Sequence, residues 1–596
     1  MRATIDTLKS YPNLVRLFLD NAEILGDKPF LGAKSGEQWQ TLSWNETADR
    51  VRRLAGGLAG AGIGAGDRVM LVSESRPEWF IADLAIMALG AITVPAYITN
   101  MPSDHLHVLS NSGAKAVIVS TAALAERVLK AALSATSPPL VIAIEPPPLE
   151  QVSVVRLASW EETLARGANA PMPAATMRRS DTACLIYTSG TGGAPKGVML
   201  SHGAILHNVR GAWDVLRELG IENEVFLSFL PLSHSYEHTA GLMFPMAIGA
   251  QIYFAEGVDK LGDNMVEVRP TVMTAVPRLY EMMRGRILRG IEKTGGLKKT
   301  MFLKALELGT KTIEAPGSLG LIDRIANAAL EKLVRDKVRA RFGGRLKVMV
   351  SGGAPLNYEV GLFFSALGLL ILQGYGQTES APVITVNRPS KVKLHTVGPP
   401  MADTEVAIAA DGEILVRGEL VMQGYWNDPN STAAALEDGW LHTGDIGEFD
   451  ADKFLTITDR KKDIIVNSGG DNISPQRVEG FLTLEPEIAQ AMVYGDRRPH
   501  LVALIVPAAE FVQSWTAERG QPNDIEAVCT DPDFRKAVLA AIERVNANLS
   551  TIEKVRRFLL VPEAFSVANG MMTPTLKIRR HAIRAAWGAK LAALYE

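Results

Sequence analysis

The chain has 596 residues, too many for one hydrophobic core, and its length points to roughly two to four domains. Apolar residues make up 47% and charged residues 21%, the balance of a soluble globular protein, and a net charge of −3 gives no reason to expect nucleic acid or an anionic membrane as a main partner. Cys184 and Cys529 are far apart and outside any CxxC pattern, so disulfides and a thiolate metal site are not expected and the cytosol fits.

At the N-terminus, residues 1–10 carry Asp6 and lack a long apolar run, which does not read as a signal peptide. A helix is expected over 48–60 and a buried strand over 68–72. Residues 79–98 come nearest to a membrane span, but Asp83, Gly90 and Pro95 interrupt them. A buried helix over 77–89, a turn and a strand are expected there instead. Further strands are expected at 116–120 and 139–144. Strands alternating with helices predict a mostly parallel sheet with helices on both faces.

Residues 187–197 then gather Thr188, Ser189, Gly190, Thr191, Gly192, Gly193 and Lys196 into one short loop. Hydroxyl donors, glycines that let backbone approach a ligand, and one cation suit a polyphosphate. The loop is not a Walker A motif, because Pro195 precedes the lysine and Gly197 follows it. A flexible surface turn is the competing reading.

Beyond the loop, strands are expected at 225–230, 251–254, 272–275 and 346–350. The segment 230–238 is expected to start as a strand, and Pro231 argues against a helical zinc pair made of His234 and His238. His234 then either lines a pocket or is structural. Residues 278–343 read as helical and rich in Lys and Arg, with helices over 298–312 and 322–341. That charge is a solvated face or, alternatively, a membrane or partner surface.

Gly352, Gly353 and Ala354 follow a buried strand, where ligands sit at the carboxyl ends of parallel strands, or they form an ordinary turn. In 373–379, Tyr375 can stack on a flat base and Glu379 is a hard oxygen ligand suited to Mg²⁺ beside phosphates. Strands at 412–417 and 453–459 suggest a smaller sheet. Asp445 can accept from both hydroxyls of a ribose, or is a solvated turn residue. The charged run 459–463 marks a domain boundary. A compact α+β unit is expected after it, with a helix over 478–484, strands at 489–494 and 501–506, and a long helix over 534–549.

Together and in this order, these segments resemble the acyl-adenylate-forming superfamily, and within it the bacterial long-chain fatty acyl-CoA synthetases. The resemblance runs from about Leu14 to the C-terminus and is most specific at 187–197, 374–379, 440–445 and 459–479. It implies an α/β fold: a large N-terminal AMP-binding domain over 1–459, with parallel sheets flanked by helices and a small barrel-like sheet. It also implies a hinge at 460–463 and a mobile, small α+β C-terminal domain over 464–596. The implied reaction has two steps: a carboxylate and ATP give acyl-AMP and pyrophosphate, and CoA then gives acyl-CoA and AMP.

By the same resemblance, Thr188, Ser189, Gly190, Thr191, Gly192 and Lys196 wrap the β- and γ-phosphates, Thr378 lies against the α-phosphate, and Glu379 binds Mg²⁺. Tyr375 and the turn Gly352, Gly353, Ala354 enclose adenine, with Gln373, Gly374 and Gly376 in the same binding set. Asp445 and Arg460 hold the ribose. Lys577 is the adenylation lysine, with Leu576 where many relatives have Gly; Arg579 and Arg580 are neighbouring cations. Lys462 is the pivot, and Gly469 and Gly470 line the pantetheine passage. His234 gates or orients the carboxylate and is not assigned as a base. The catalytic set is therefore Thr188, His234, Glu379 and Lys577.

ATP, CoA, Mg²⁺ and a fatty acid are the implied ligands, in the cytoplasm or peripherally at the inner membrane; a homodimer stays open. The helical insertion 283–341 and residues 233–237 look like the long-chain group. The alternatives are an acyl-AMP ligase loading a carrier protein, a ligase for medium-chain or aryl acids, and a non-catalytic membrane or fatty-acid-binding scaffold.

Overall fold

Short strands buried at every residue set the architecture: Ile92–Pro95, Ala116–Val119 and Leu140–Ala143 expose no side chain on either face. Such uniformly buried strands belong in parallel sheets covered on both sides. The computed structural model describes residues 4–147, 155–188, 194–469, 471–573 and 577–596, and it holds two such sheets of eight strands each.

The first sheet runs, edge to edge, through Gly424–Tyr425, Lys196–Ser201, Thr182–Thr188, Ile92–Pro95, Arg68–Val72, Ala116–Val119, Leu140–Ala143 and Leu157–Ser159. The second runs through Val383–Val386, Ile371–Gly376, Val348–Ser351, Val272–Ala275, Val225–Ser228, Gln251–Phe254, Pro29–Ser35 and Gln38–Ser43. The N-terminal strand Pro29–Ser35 joins the second sheet by pairing Leu31 with Ile252, in parallel register. Chain order had suggested one alternating series; this long-range pairing is what divides it between two sheets. The interiors are parallel, while antiparallel pairs close the edges, as between Thr182–Thr188 and Lys196–Ser201.

Local signals place the helices. Ser43 and Glu46 form a reciprocal capping box that starts Trp44–Gly60. Pro77 opens the buried helix Pro77–Ala88, as expected for residues 77–89. A separate antiparallel sheet is built from Glu405–Ile408, Glu413–Arg417, Leu436–Glu437, Trp440–Phe449 and Leu455–Arg460.

Two expected elements differ. The strand before residues 230–238 closes at Ser228, whose hydroxyl donates to the buried Glu237 carboxylate at 2.6 Å. Pro231, which has no N–H for a ladder, then leads through a turn into a helix, so 230–238 contains no strand. The expected helix 322–341 is interrupted: Leu321–Leu330 passes through a π-turn, Glu331–Arg335, into Asp336–Arg341. The wider turn lets the buried Arg335 guanidinium donate to the carbonyls of Ala305 and Ala366 at 2.7 and 2.8 Å.

Residues beyond 464 pack around apolar clusters of their own, one centred on Val478, Ile505 and Phe534 and one on Leu504, Phe565 and Ile583. Their sheet orders Ile488–Tyr494, Leu501–Pro507 and Val555–Leu560. The buried Glu479 carboxylate accepts both Arg580 terminal nitrogens at 2.7 and 2.6 Å and the Val493 amide at 2.7 Å. Burial raises the Glu479 carboxyl, and Arg580 opposes that shift. Arg580→Met strands this carboxylate and should cost about 3–5 kcal/mol, read as an earlier transition of the C-terminal unit in denaturant unfolding.

Candidate active site

The strands Val348–Ser351 and Ile371–Gly376 run parallel and end side by side, with Ser351 opposite Gln373. Past these ends stand the turn Gly352, Gly353, Ala354 and the short turn Thr378–Ser380 that carries Glu379. Two glycines here stand in close contact, Gly376 too close for any side chain. A side chain at Gly376 would meet the Pro382 carbonyl oxygen at 1.8 Å, and one at Gly352 would meet the Tyr236 ring at 3.0 Å. Gly374, Gln373 and Thr378 occupy the same strand end, so this expected cluster is contiguous.

Asp445 arrives from the antiparallel sheet, where it pairs across the ladder with Arg460. Its carboxylate accepts the Tyr375 hydroxyl at 2.7 Å and lies 3.4 Å from Arg460 Nε. Asp445 is buried and within a strand, which removes the solvated-turn reading. Burial raises its carboxyl, while Arg460 and Tyr375 pull it down.

Lys577 completes the cluster. Burial pushes its ammonium down to about 8; Arg460 pushes the same way, while Asp445 and Glu379 oppose. It is thus not the exposed, ordinary lysine that was the competing reading. The half-buried His234 imidazole is pushed down to about 4 by burial and by the Lys577 charge, so it is neutral near pH 7. Its Nδ1 accepts the Tyr236 amide at 3.2 Å, and the Tyr236 hydroxyl donates to the Val350 carbonyl at 2.8 Å. Next to it, Ser235 and Thr378 hydroxyls lie 3.1 Å apart. These bonds fasten the His234 turn to the two strand ends. His238 lies elsewhere, buried against Asp83 at 2.9 Å, and among the described residues no cluster of His, Cys, Asp and Glu could hold a metal by itself.

Thr188 and Lys196 face each other at the loop end of their hairpin. Ser189, Gly190, Thr191 and Gly192 lie outside the described residues, as does Gly470. Lys196 Nζ sits 5.1 Å over the Tyr425 ring, donates to Ser431 at 2.5 Å and lies 3.7 Å from Asp428. The Tyr425 hydroxyl in turn donates to Glu379 at 2.8 Å. Tyr425 was not legible as a site residue, because only the pairing of Gly424–Tyr425 with Lys196–Ser201 brings it there. Lys462 and Gly469 are exposed, and the Gly469 amide turns to its own loop at Asn467, 2.9 Å away. Lys461 anchors that end of the segment to Asp411 and Glu413.

Residues 18–426 match the AMP-binding enzyme family and residues 462–596 match the AMP-binding enzyme C-terminal domain. The chain belongs to this family of adenylate-forming enzymes. It is 35% identical over 561 residues to a long-chain-fatty-acid–CoA ligase, FadD15, of Mycobacterium bovis, covering 94% of this chain and 92% of the relative. A peroxisomal long chain acyl-CoA synthetase of Arabidopsis thaliana is 31% identical, over 97% and 85% of the two chains. Among solved structures, the adenylation domain of a carboxylate reductase from Mycobacterium chelonae superposes with a TM-score of 0.77 at 22% identity, over 99% of this chain and 92% of that one. The α/β fold with its extra antiparallel sheet and C-terminal unit is thus the fold of adenylate-forming enzymes.

A desolvated amine that titrates near 8 is a stronger nucleophile at mild pH than a surface lysine. Competitive trace acylation of the native protein across a pH series should give Lys577 a midpoint of about 8, against the ordinary 10.5. A midpoint near 10.5 would place Lys577 in water, away from Arg460.

Proposed function

We propose that the protein is an ATP- and CoA-dependent ligase of long-chain fatty acids. It forms acyl-AMP and pyrophosphate, then acyl-CoA and AMP. The observation that carries this reading is the convergence of Glu379, Asp445, Arg460, Lys577 and His234 in one site, within a chain related over nearly its whole length to long-chain-fatty-acid–CoA ligases.

The first step brings a carboxylate anion against a polyanion. Positive charge must stand where the two meet. Lys577 supplies it in a water-poor site, and Arg460 adds to the local field. Asp445, aimed by Tyr375 and Arg460, accepts from the ribose hydroxyls. The turn Gly352, Gly353, Ala354 and the Tyr375 ring enclose adenine, with Gln373, Gly374 and Gly376 shaping the strand end. Thr378, within reach of Ser235, lies against the α-phosphate, and Thr188 and Lys196 flank the phosphate loop. Glu379 fits Mg²⁺: a single carboxylate oriented by Tyr425 suits an ion that keeps most of its bonds for phosphate oxygens and water. The ion would neutralise phosphate charge. His234, neutral near pH 7, orients the acyl carboxylate without competing for its charge.

The second step needs CoA where Lys577 stands. We place a hinge at 460–463, with Lys462 as the pivot between a domain over 1–459 and one over 464–596. Rotation there withdraws Lys577 and turns Gly469 and Gly470 toward the acyl carbon. The free thiols of Cys184 and Cys529 support a reducing, cytoplasmic setting.

Incubation with ATP, CoA and saturated acids of graded length tests the function. Turnover should peak at long chains and release AMP; turnover only on aryl or very short acids would overturn the assignment. Lys577→Ala should slow acyl-AMP formation by about 10²-fold or more while leaving thioester formation from supplied acyl-AMP near the parent rate. Equal loss in both half-reactions would contradict the role given to Lys577.

A further inference from the structure

Charge is unevenly distributed along this chain. Residues 277–341 hold fifteen Lys and Arg against seven Asp and Glu, a net of +8 in a chain whose total is −3. Within them, the helical run Leu321–Leu330 through Asp336–Arg341 shows water an apolar stripe. Leu321 is 75% exposed, Ile322 83%, Ile325 65% and Leu333 49%. The opposite side of the run is committed to the protein: Leu330 and Val334 are in the core, and Arg335 is pinned to Ala305 and Ala366. The outward stripe is therefore held rigidly in place rather than loosely attached.

The charges beside the stripe are one-signed. The three acids of this run are engaged within the protein: Asp323 faces Lys304 at 4.0 Å, Glu331 pairs with Arg335 and Arg339, and Asp336 pairs with Arg339. Arg324, Lys332 and Lys337 are exposed and form no ion pair among the described residues. Arg324 Nε donates to the Leu319 carbonyl at 3.0 Å, which leaves its charge without a counter-ion. Exposed aliphatic tips fringed by such cations match an anionic lipid surface, where the tips enter the acyl boundary and the cations meet the headgroups. A second copy of the chain fits less well. A two-fold contact would set this positive face against itself, with no acid left to neutralise it. Among the described residues no helix is long and apolar enough to cross a membrane, so the contact is one of lying on the surface.

We propose that the outward face of residues 321–341, with Ile322 and Ile325 at its centre and Arg324, Lys332 and Lys337 beside them, is a docking surface for anionic phospholipid bilayers. The near-neutral total charge conceals it, because the acidic excess lies elsewhere in the chain. This face is separate from the residues assigned to the active site. It would bring the enzyme to the phase in which an apolar acid is most concentrated.

The test is sedimentation of the full-length protein with vesicles of phosphatidylcholine alone or mixed with phosphatidylglycerol. The parent should bind the mixed vesicles, more weakly as salt rises, and bind the neutral ones poorly. The double variants Ile322→Ser with Ile325→Ser, and Arg324→Glu with Lys332→Glu, should each lower partitioning by about ten-fold or more, since each basic residue near such a surface contributes about five-fold. Their thermal unfolding should match the parent, because all four side chains are exposed. Equal binding to both vesicle types, or unchanged partitioning of both variants, would overturn the proposal. So would a parent dimer that Ile322→Ser with Ile325→Ser converts to monomer, because a second copy would then occupy the face.

Discussion

The site turns on the placement of one positive charge. Lys577 brings an ammonium into a water-poor cleft that already holds Arg460, and both burial and like charge work against it. What keeps it charged near neutral pH is the pair of carboxylates, Asp445 and Glu379, that face it from two different parts of the fold. An ammonium only partly compensated by these carboxylates is well matched to a phosphate and a carboxylate that arrive as anions. Burial, helped by the Lys577 charge, keeps His234 neutral, so that the imidazole beside the reacting anions is an uncharged hydrogen-bonding group rather than a second cation.

That arrangement depends on elements that do no chemistry. Tyr375 fixes one oxygen of Asp445 and Tyr425 fixes one oxygen of Glu379, so each carboxylate is oriented before any ligand binds. The ring of Tyr236 fills the space that a side chain at residue 352 would need, and its hydroxyl ties the His234 turn to the strand carrying Val350. Beneath these lies Glu237, fully buried and raised to about 7 by that burial, accepting from Ser228 and Thr274 at 2.6 Å each. It joins two neighbouring strands to the helix that follows the His234 turn. Both Glu237 oxygens are thus paired, which ties the helix to the strands that carry the site.

Much of this was legible in the sequence. The strand runs 68–72, 251–254 and 272–275 carry their own signal, because a buried parallel strand is a short, mostly apolar run bounded by turns. The clustering of Gly352, Tyr375, Thr378 and Glu379 follows from motifs at the ends of such strands. Other features were not legible. The turn at 230–238 depends on a hydrogen bond between Ser228 and Glu237 that only folding creates. The π-turn at Glu331–Arg335 answers to carbonyls of Ala305 and Ala366, which come from other helices. Tyr425 reaches Glu379 through an edge-strand pairing that no local pattern announces.

By itself, the sequence determined the chemical inventory and the kind of fold: which segments alternate as strand and helix, where glycines permit close approach, and which charged residues stand in distinctive contexts. Composition and local spacing suffice for that, because they reflect short-range sterics and burial period. Only the tertiary structure decided that the strands divide into two sheets, that Asp445 pairs with Arg460 and Tyr375, and that Lys577 is desolvated among Arg460, Asp445 and Glu379. Only it showed the cations of 321–341 fringing an exposed apolar stripe while their acidic neighbours are engaged. The physical reason is the same in each case: a side chain's charge state and partners are set by the dielectric and the neighbours around it, and those come from residues distant in the chain.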